Sequence, residues 1–579
     1  MKKKYARVPC PVPTERLLNH FGSIFSTKNT IPAEVPQILS VWTEEVTRER
    51  EALRRPFTVS EVVEGIRRLP LKKAAGPDGV YNKHIRGAVF LTPCWVTLFN
   101  GCLETGIIPK EWRKADVITI PKGKGDLRSP SSWRGIALRG CPYKLLTNLM
   151  TRRLSHYLET LGKLPAEQHG FREGRSTKTA WQTLLQRVES TLRWKDRCLY
   201  VVFVDFRCAF DTASREAVVV RLAETGVPGV FLRLLCSILQ ANEVFIDDGV
   251  TRHGPLSQTT GFAQGDCLSP LLFSTLISQL PAAIRERHNL VETVLYADDL
   301  ALISTSKFHV QQALLTTVNY ARGLGLEINV GKTVGMKVSR SGRQARTERL
   351  RVAGEYIPFV NRFEYLGLIV PANGRSYSHH VKNRVSKAIK ALSGIRDPSE
   401  LSISTAVKLF DIKVAPIVTY GIEVAWEFLS VKDLECIEKV KAAYLKRVLK
   451  VHKTSRNRLV YTLLGEVPFV QSFKERRGLA DTRAWTLFRA QWESKCVEID
   501  PMFYNVPAMR NHGWKEAGVD DRHVWTRVAI HGFHHKLCLR RTFHEPSVDC
   551  TCRLCGQKCE RYHILNCMCR PSLFAVAKS

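Results

Sequence analysis

The 579-residue chain carries 87 Lys and Arg against 54 Asp and Glu, a formal charge of +33, and 44% of its residues are hydrophobic. A chain so long and so apolar is built around real cores rather than disorder, and its charge points to a polyanion, with nucleic acid ahead of a membrane surface. No run of about 18 apolar residues and no signal-peptide pattern is found, since the basic start MKKKYARVPCP passes into Pro9, Pro11 and Pro13. An intracellular protein, nuclear or cytoplasmic and with no membrane partner, is expected.

Residues 1–56 are punctuated by proline and then charged, with one helix predicted around Val41–Leu53. Thr58 followed by Glu61 makes a capping box for a helix through Arg68, which Pro70 stops. In the basic turn KKAAGPDGV, Lys72–Val80, Gly76 and Gly79 let backbone approach a ligand closely, though a surface loop reads the same way. Asp116–Ile120 is predicted as a strand running into PKGKGD (Pro121–Asp126) and SSWRGIAL (Ser131–Leu138). Lys122, Lys124 and Arg134 on that glycine-bearing hairpin suit a triphosphate or a template backbone, as they would suit a solvated loop. The spacing of Leu145, Leu149, Leu154 and Leu158 predicts a helix over Tyr143–Leu161 with Arg152 and Arg153 off its apolar stripe. EQHGFREGRST, Glu167–Thr177, combines glycines with Arg172 and Arg175 ahead of another helix.

Leu199–Phe206, LYVVFVDF, is a continuous apolar run of the kind that forms a strand buried on both faces, and it ends at Asp205. Ser214 is the expected N-cap of the next helix, with Val218 and Leu222 on one face. VFIDDGV reads as a tight two-residue hairpin in which Gly249 supplies the positive φ, so Asp247 and Asp248 need no chemistry. GFAQGDCLSPLLFS, Gly261–Ser274, is a glycine-bearing turn opening an apolar helix. VLYADDLALI, Val294–Ile303, LEINVGKTVGMKV and FEYLGLIV, Phe363–Val370, are strand-like. Interleaved elements of this kind predict an α/β sheet with helices on one face. From about Ser376 the pattern is helical, and the basic residues Lys382, Lys387 and Lys390, then Lys439, Lys446 and Arg447, lie off the apolar faces; a solvated face or a surface tracking a phosphate backbone would both give this.

The pair Asp298-Asp299 differs from Asp247-Asp248 because no glycine accompanies it. Two carboxylates about 4 Å apart repel by roughly 4 kcal/mol at an effective dielectric near 20, so a fold that pins them together tends to hold a cation or a proton there. Phosphoryl transfer to a 3′ hydroxyl uses two divalent cations held by shared carboxylate oxygens, and Asp205 at a strand end with Asp298 at a bend is the pair to place there. Phe210, in FRCAFD, would sit beneath the incoming sugar and exclude a 2′-OH. Gln264 is expected at the nucleotide and Lys332, in NVGKT, at its phosphates.

The ordered set AAGPDG, PKGKGD with WRGIAL, HGFREGRST, FVDFRCAFD, GFAQGDCLSPLLF, LYADDL, LGLEINVGKT and FEYLG resembles the reverse transcriptase of a non-LTR (LINE-type) retrotransposon over roughly residues 57–370, with weaker similarity (YGIEVAW, LKRVLKVHKTSRN) to about 470. The resemblance implies an α/β right-hand polymerase with an α+β palm: an N-terminal extension at 1–56, fingers at 57–198, palm at 199–375, helical thumb at 376–470 and a connector at 471–545. It implies an RNA-directed DNA polymerase using Mg²⁺, an RNA template, a DNA primer or target and dNTPs. Asp205, Asp298 and Asp299 match the catalytic, metal-binding carboxylates, Asp299 in support. Phe210 matches the sugar gate, Gln264 the nucleotide-contacting glutamine, Arg134 the fingers arginine at the triphosphate, Lys332 the lysine after the Asp pair, and FEYLG the primer grip. Two positions depart from the family pattern, Gly135 and Cys267, where proline is usual. An intron maturase-type enzyme and a polymerase-dead nucleic-acid-binding relic are the alternatives.

Of the 17 cysteines, eleven stand singly, some in apolar contexts such as Cys94, Cys102 and Cys236, and six crowd between Cys550 and Cys569. Cys552, Cys555, His563 and Cys567 have the types and spacing of a zinc knuckle at 546–579, with Cys569, Cys550 or Cys559 as substitute ligands. This resembles the CCHC motif that follows the thumb in several non-LTR families. No endonuclease motif is legible before residue 57 or after Cys569, so either the chain is a fragment or the nick in the target comes from elsewhere.

Overall fold

The computed structural model describes residues 9–26 and 48–497, except 124, 241, 345–348, 456 and 465. The chain divides into two compact units, Met1–Arg362 with Ala372–Gly374, and Phe363–Pro371 with Arg375–Ser579. Among the described residues no helix is long and apolar enough to cross a membrane.

The principal strands of the first unit are β1 (Lys114–Pro121), β2 (Trp133–Leu138), β3 (Leu199–Val204), β4 (Asn242–Asp247), β5 (Arg252–Gln258), β6 (Glu292–Tyr296), β7 (Asp299–Ser304) and β8 (Val334–Val338). They form two four-stranded sheets. One, in the order β2-β1-β4-β5, has a single parallel pair, β1 with β4. The other, in the order β8-β3-β7-β6, is antiparallel throughout. In β3, Val201, Val202, Phe203 and Val204 are all buried although successive side chains point to opposite faces. Both faces of the sheet are therefore covered at this strand, as its continuous apolar run predicts.

Helices around these sheets follow their local signals. Helix α1 (Thr14–Phe25) buries Leu17, Phe21 and Phe25. Helix α2 (Val59–Arg68) begins on the Thr58–Glu61 capping box. Helix α3 spans Cys141–Thr160. A four-residue turn of helix, α4 (Ala209–Thr212), follows β3, and α5 (Arg215–Glu224) starts where the Ser214 side chain accepts the Ala217 N–H. Helix α6 is Ser269–Leu276.

Two sequence expectations need correction. The Asp247–Asp248 hairpin closes on the pair Asp247 and Arg252, so its loop has four residues rather than two. Gly249 does take positive φ there (95°), and Asp248 Oδ1 accepts from the N–H groups of Val250 and Thr251. Arg153, off the apolar stripe of α3, is buried. It donates to both carboxylate oxygens of Glu61 and to the carbonyls of Arg55 and Pro56.

The second correction lies in the second unit. A hairpin pairs Arg362–Tyr365, β9, with Leu368–Pro371, β10, and the helices α7 (Ser378–Ser393), α8 (Ala415–Thr419), α9 (Val431–Val448) and α10 (Phe469–Arg477) follow. Lys382, Lys387 and Lys390 of α7 are exposed, as is Lys439 of α9. Lys446 instead is buried with its ammonium on the Lys453 carbonyl, and Arg447 donates to the carbonyls of Leu392 and Ile395. These two cations satisfy orphan carbonyls at helix ends and loops rather than facing a ligand.

Candidate nucleotidyl-transfer site

Asp205 directly follows β3, and β3 pairs with β7 in a register that sets Val204 against Leu300. One step further along the two strands brings Asp205 to the start of β7, where Asp299 lies. The Asp205 N–H meets Thr333 Oγ1 at 3.3 Å and its carbonyl accepts the Asn329 N–H at 2.7 Å, which fixes the strand end. Across the β6–β7 hairpin Tyr296 pairs with Asp299, leaving Ala297 and Asp298 as a two-residue turn. Ala297 takes φ 54°, so the positive φ that glycine would supply is here forced on alanine.

The three carboxylates feel one another. Burial raises the Asp298 pKa, the Asp205 charge adds to this, and Arg134 and Lys332 act in the opposite sense. Asp299 reaches solvent with its edge, yet crowding by the chain and the charges of Asp298 and Asp205 push its pKa to about 7. A site that penalises ionised carboxylates in this way is eased by a cation between them. Lys332 Nζ lies 3.7 Å from Asp205 Oδ2, so at present it partners a carboxylate. Among the described residues no group of three or more His, Cys, Asp or Glu side chains is arranged to hold a metal ion by itself.

Beside the carboxylates, α4 and the loop before α6 are joined by backbone. Gly261 N–H donates to Ala213 O (3.0 Å) and Phe262 N–H to Phe210 O (2.6 Å). Gly261 is obligatory there: a Cβ would stand 2.2 Å from the Asp211 carbonyl oxygen. The Phe210 ring stacks on Phe273 of α6 at a centroid distance of 4.9 Å, which holds its orientation. Gln264 accepts the Ala137 N–H through its carbonyl (2.8 Å) and donates from Nε2 to Asp211 Oδ2 (2.7 Å). Gln264 is thereby tied to β2, which carries the exposed Arg134, and to α4, which carries Phe210.

Asp211 is not among the residues the sequence singles out, although it is the second acid of FVDFRCAFD. Burial pushes its pKa to about 7, against the Gln264 hydrogen bond and the charges of Lys122 and Arg134. Gln168 was missed as well, and nothing in EQHG distinguishes a buried amide from a surface one. The fold thus brings together Asp205, Asp298, Asp299 and Lys332, and, through the field at Asp298, Arg134. Phe210 and Gln264 share the adjoining corner. Cys552, Cys555, His563 and Cys567 lie outside the described residues.

An antiparallel sheet with acids at the end of one strand and in the turn of its neighbour, inside a mixed α/β unit, is consistent with a palm-type fold. Residues 120–370 match the family described as reverse transcriptase (RNA-dependent DNA polymerase). The chain's similarity is to polymerases of non-LTR retrotransposons. The chain is 26% identical over 386 residues to the probable RNA-directed DNA polymerase from transposon BS of Drosophila melanogaster, covering 64% of this chain and 42% of that protein. It is 28% identical over 380 residues to the Pol polyprotein from the type-1 retrotransposable element R2 of Popillia japonica, covering 62% and 51%. It is 26% identical over 416 residues to the RNA-directed DNA polymerase from the mobile element jockey of Drosophila melanogaster, covering 68% and 44%. The chain therefore spans about half the length, or less, of these relatives.

Proposed function

We propose that this chain is an RNA-directed DNA polymerase of a non-LTR retrotransposon that adds dNTPs to a primer 3′-OH on an RNA template, in target-primed cDNA synthesis. The observation that carries the reading is the meeting of Asp205 with the Asp298 turn at one end of two adjacent strands. In this reading residues 57–198 act as fingers, 199–375 as palm and 376–470 as a helical thumb.

Asp205 and Asp298 would hold Mg²⁺, with Asp299 in support, and their paired, partly desolvated carboxylates fit a divalent cation better than they fit each other. When bound, the metal pair would activate the primer hydroxyl and neutralise the charge on the triphosphate. The chain's own side chains do the rest. Arg134 presents a guanidinium to phosphate oxygens, a geometry suited to bidentate contact. The Phe210 ring, braced by Phe273, fills the space a 2′-OH would need. Asp211 holds the Gln264 amide in one orientation, and Lys332, released from Asp205 as metal enters, adds positive charge. A zinc ion on Cys552, Cys555, His563 and Cys567 would give the tail a knuckle for nucleic acid.

Primer extension on an RNA template with dNTPs and Mg²⁺ tests this. Extension by wild type and a loss of at least about 1,000-fold in Asp298→Ala are expected, as for removal of a principal electrostatic group. Wild-type protein that binds RNA but extends no primer with any divalent metal would reduce it to a binding protein.

A further inference from the structure

The segment Glu167–Gly170 has none of the roles assigned above, yet it is built against the turn that carries Asp298. Leu295 N–H donates to the Glu167 carbonyl (2.9 Å) and His169 N–H to the Leu295 carbonyl (2.7 Å), so the segment adds a short parallel bridge along the outer edge of β6. Between these bonds Gln168 is fully buried. Its Oε1 accepts two N–H groups, from Gly170 at 2.8 Å and from Ala297 at 2.9 Å. Its Nε2 is buried with no partner among the described residues. A buried amide whose donor goes unused is kept for its acceptor, because an unsatisfied donor only weakens the fold.

The acceptor is spent where the backbone is strained. Ala297 holds a positive φ that an L side chain rarely adopts, and such a conformation persists only when its surroundings impose it. The approach is close: a Cβ on Gly170 would lie 2.4 Å from the Ala297 nitrogen and 3.0 Å from the Tyr296 carbonyl carbon. An aliphatic residue at 168 would fill the same space but leave the Ala297 N–H unsatisfied and free to rotate away.

We propose that Gln168 is a positioning residue for the metal-binding carboxylate Asp298: its carbonyl oxygen locks the Ala297 peptide and so aims Asp298 at Asp205. What Asp298 does rests on the polymerase reading; the lock itself does not. Gln168→Leu keeps the volume and removes the acceptor, whereas Gln168→Glu keeps the reach and an acceptor oxygen.

Two readouts on the full chain judge the proposal without catalysis. Hydrogen exchange at the Ala297 amide should be slow in wild type and in Gln168→Glu, and faster by on the order of 100-fold or more in Gln168→Leu as the turn opens locally. Binding of Mn²⁺ alone, followed by the electron spin resonance of the free ion, should weaken by roughly 10–100-fold in Gln168→Leu and recover in Gln168→Glu, the range expected for loss of a residue that orients a ligand. Duplex affinity should stay within about twofold of wild type, since the metal rather than the phosphate contacts is disturbed. Unchanged Mn²⁺ affinity in a folded leucine variant overturns the proposal. So does an Ala297 amide that exchanges freely in wild type, a measurement that stands even where the leucine variant does not fold. Failure of wild type to extend a primer would sink the polymerase reading and leave both of these judgements on Gln168 intact.

Discussion

Asp211 and Phe210 are neighbours in sequence with opposite demands. The ring must stay rigid, and its stack on Phe273 provides that. Phe210→Val is therefore expected to lower discrimination against ribonucleotides by roughly 10–100-fold, read as the ratio of kcat/KM for dNTP and rNTP, because the site would lose a steric exclusion and no hydrogen bond. Unchanged discrimination would remove Phe210 from the gate. Asp211 must stay buried, and that costs stability once it ionises. Its folded pKa of about 7 stands above the ordinary 3.8, so the unfolded chain gives up the proton first as pH rises. The native state loses stability progressively between those two values, and above the upper one the loss is constant. Asp211→Asn keeps an acceptor for Gln264 and has nothing to ionise. It should therefore be more stable than wild type at pH 8, by a few kcal/mol at most, on the order of 2–4, with little difference near pH 4. Melting temperatures of the two proteins at both pH values check this, and a gain that does not grow with pH would show that Asp211 is ionised and well solvated. Phe210 stands out in sequence as a candidate because its position relative to Asp205 matches a known pattern. Asp211 was not legible because its burial depends on Gly261 and Gln264, far along the chain.

At the scale of elements, α1 explains a departure from the family pattern. Gly135 stands in β2 where proline is usual, and a Cβ there would lie 2.7 Å from Val117 Cγ1 and 3.0 Å from Phe21 Cε1. The ring of Phe21 occupies the space above the strand next to Arg134, and Gly135 also pairs with Thr119 of β1. The glycine is thus the partner of a helix that docks on the sheet, not a loosened loop. Phe21→Ala should cost roughly 3–5 kcal/mol by leaving a cavity, and Gly135→Ala about 1–3 kcal/mol by overpacking. Chemical denaturation measures both, and a Gly135→Ala protein as stable as wild type would show that Val117 and Phe21 give way freely. The Glu61–Arg153 pair joins α2 to α3 in a similar manner. Burial works against it, but the hydrogen bonds and charge of Arg153 bring Glu61 down to about 2, so the pair's contribution is whole above pH 4.5 and lost on acidification toward that value.

For the molecule as a whole, the charge of +33 is the dominant long-range quantity. Much of the exposed basic surface, such as Lys382, Lys390 and Lys439, is free of the structural duties that occupy Lys446 and Arg447. Affinity for an RNA–DNA duplex should fall by roughly 1,000-fold or more between about 50 and about 200 mM salt if six or more phosphates are contacted, as counterion release requires. A shallow salt dependence in a binding titration would show that the charge is spread for solubility and not for backbone contact.

Sequence by itself pointed to the family that residues 120–370 match, because ordered short motifs, a buried strand ending in Asp205 and a glycine-free acidic turn are local patterns that survive in one dimension. It also determined the capping box at Thr58 and the N-cap at Ser214, which depend on neighbours a few residues apart. Only tertiary structure decided which cations serve the fold, since Arg447 lies off an apolar face in sequence but donates to carbonyls more than fifty residues away. It likewise decided that the acidic turn at Asp298 is held by Gln168 and that Gln264 is held by Asp211. Those are contacts across more than fifty residues of chain. Their physical basis is burial, which no spacing of residue types along the sequence encodes.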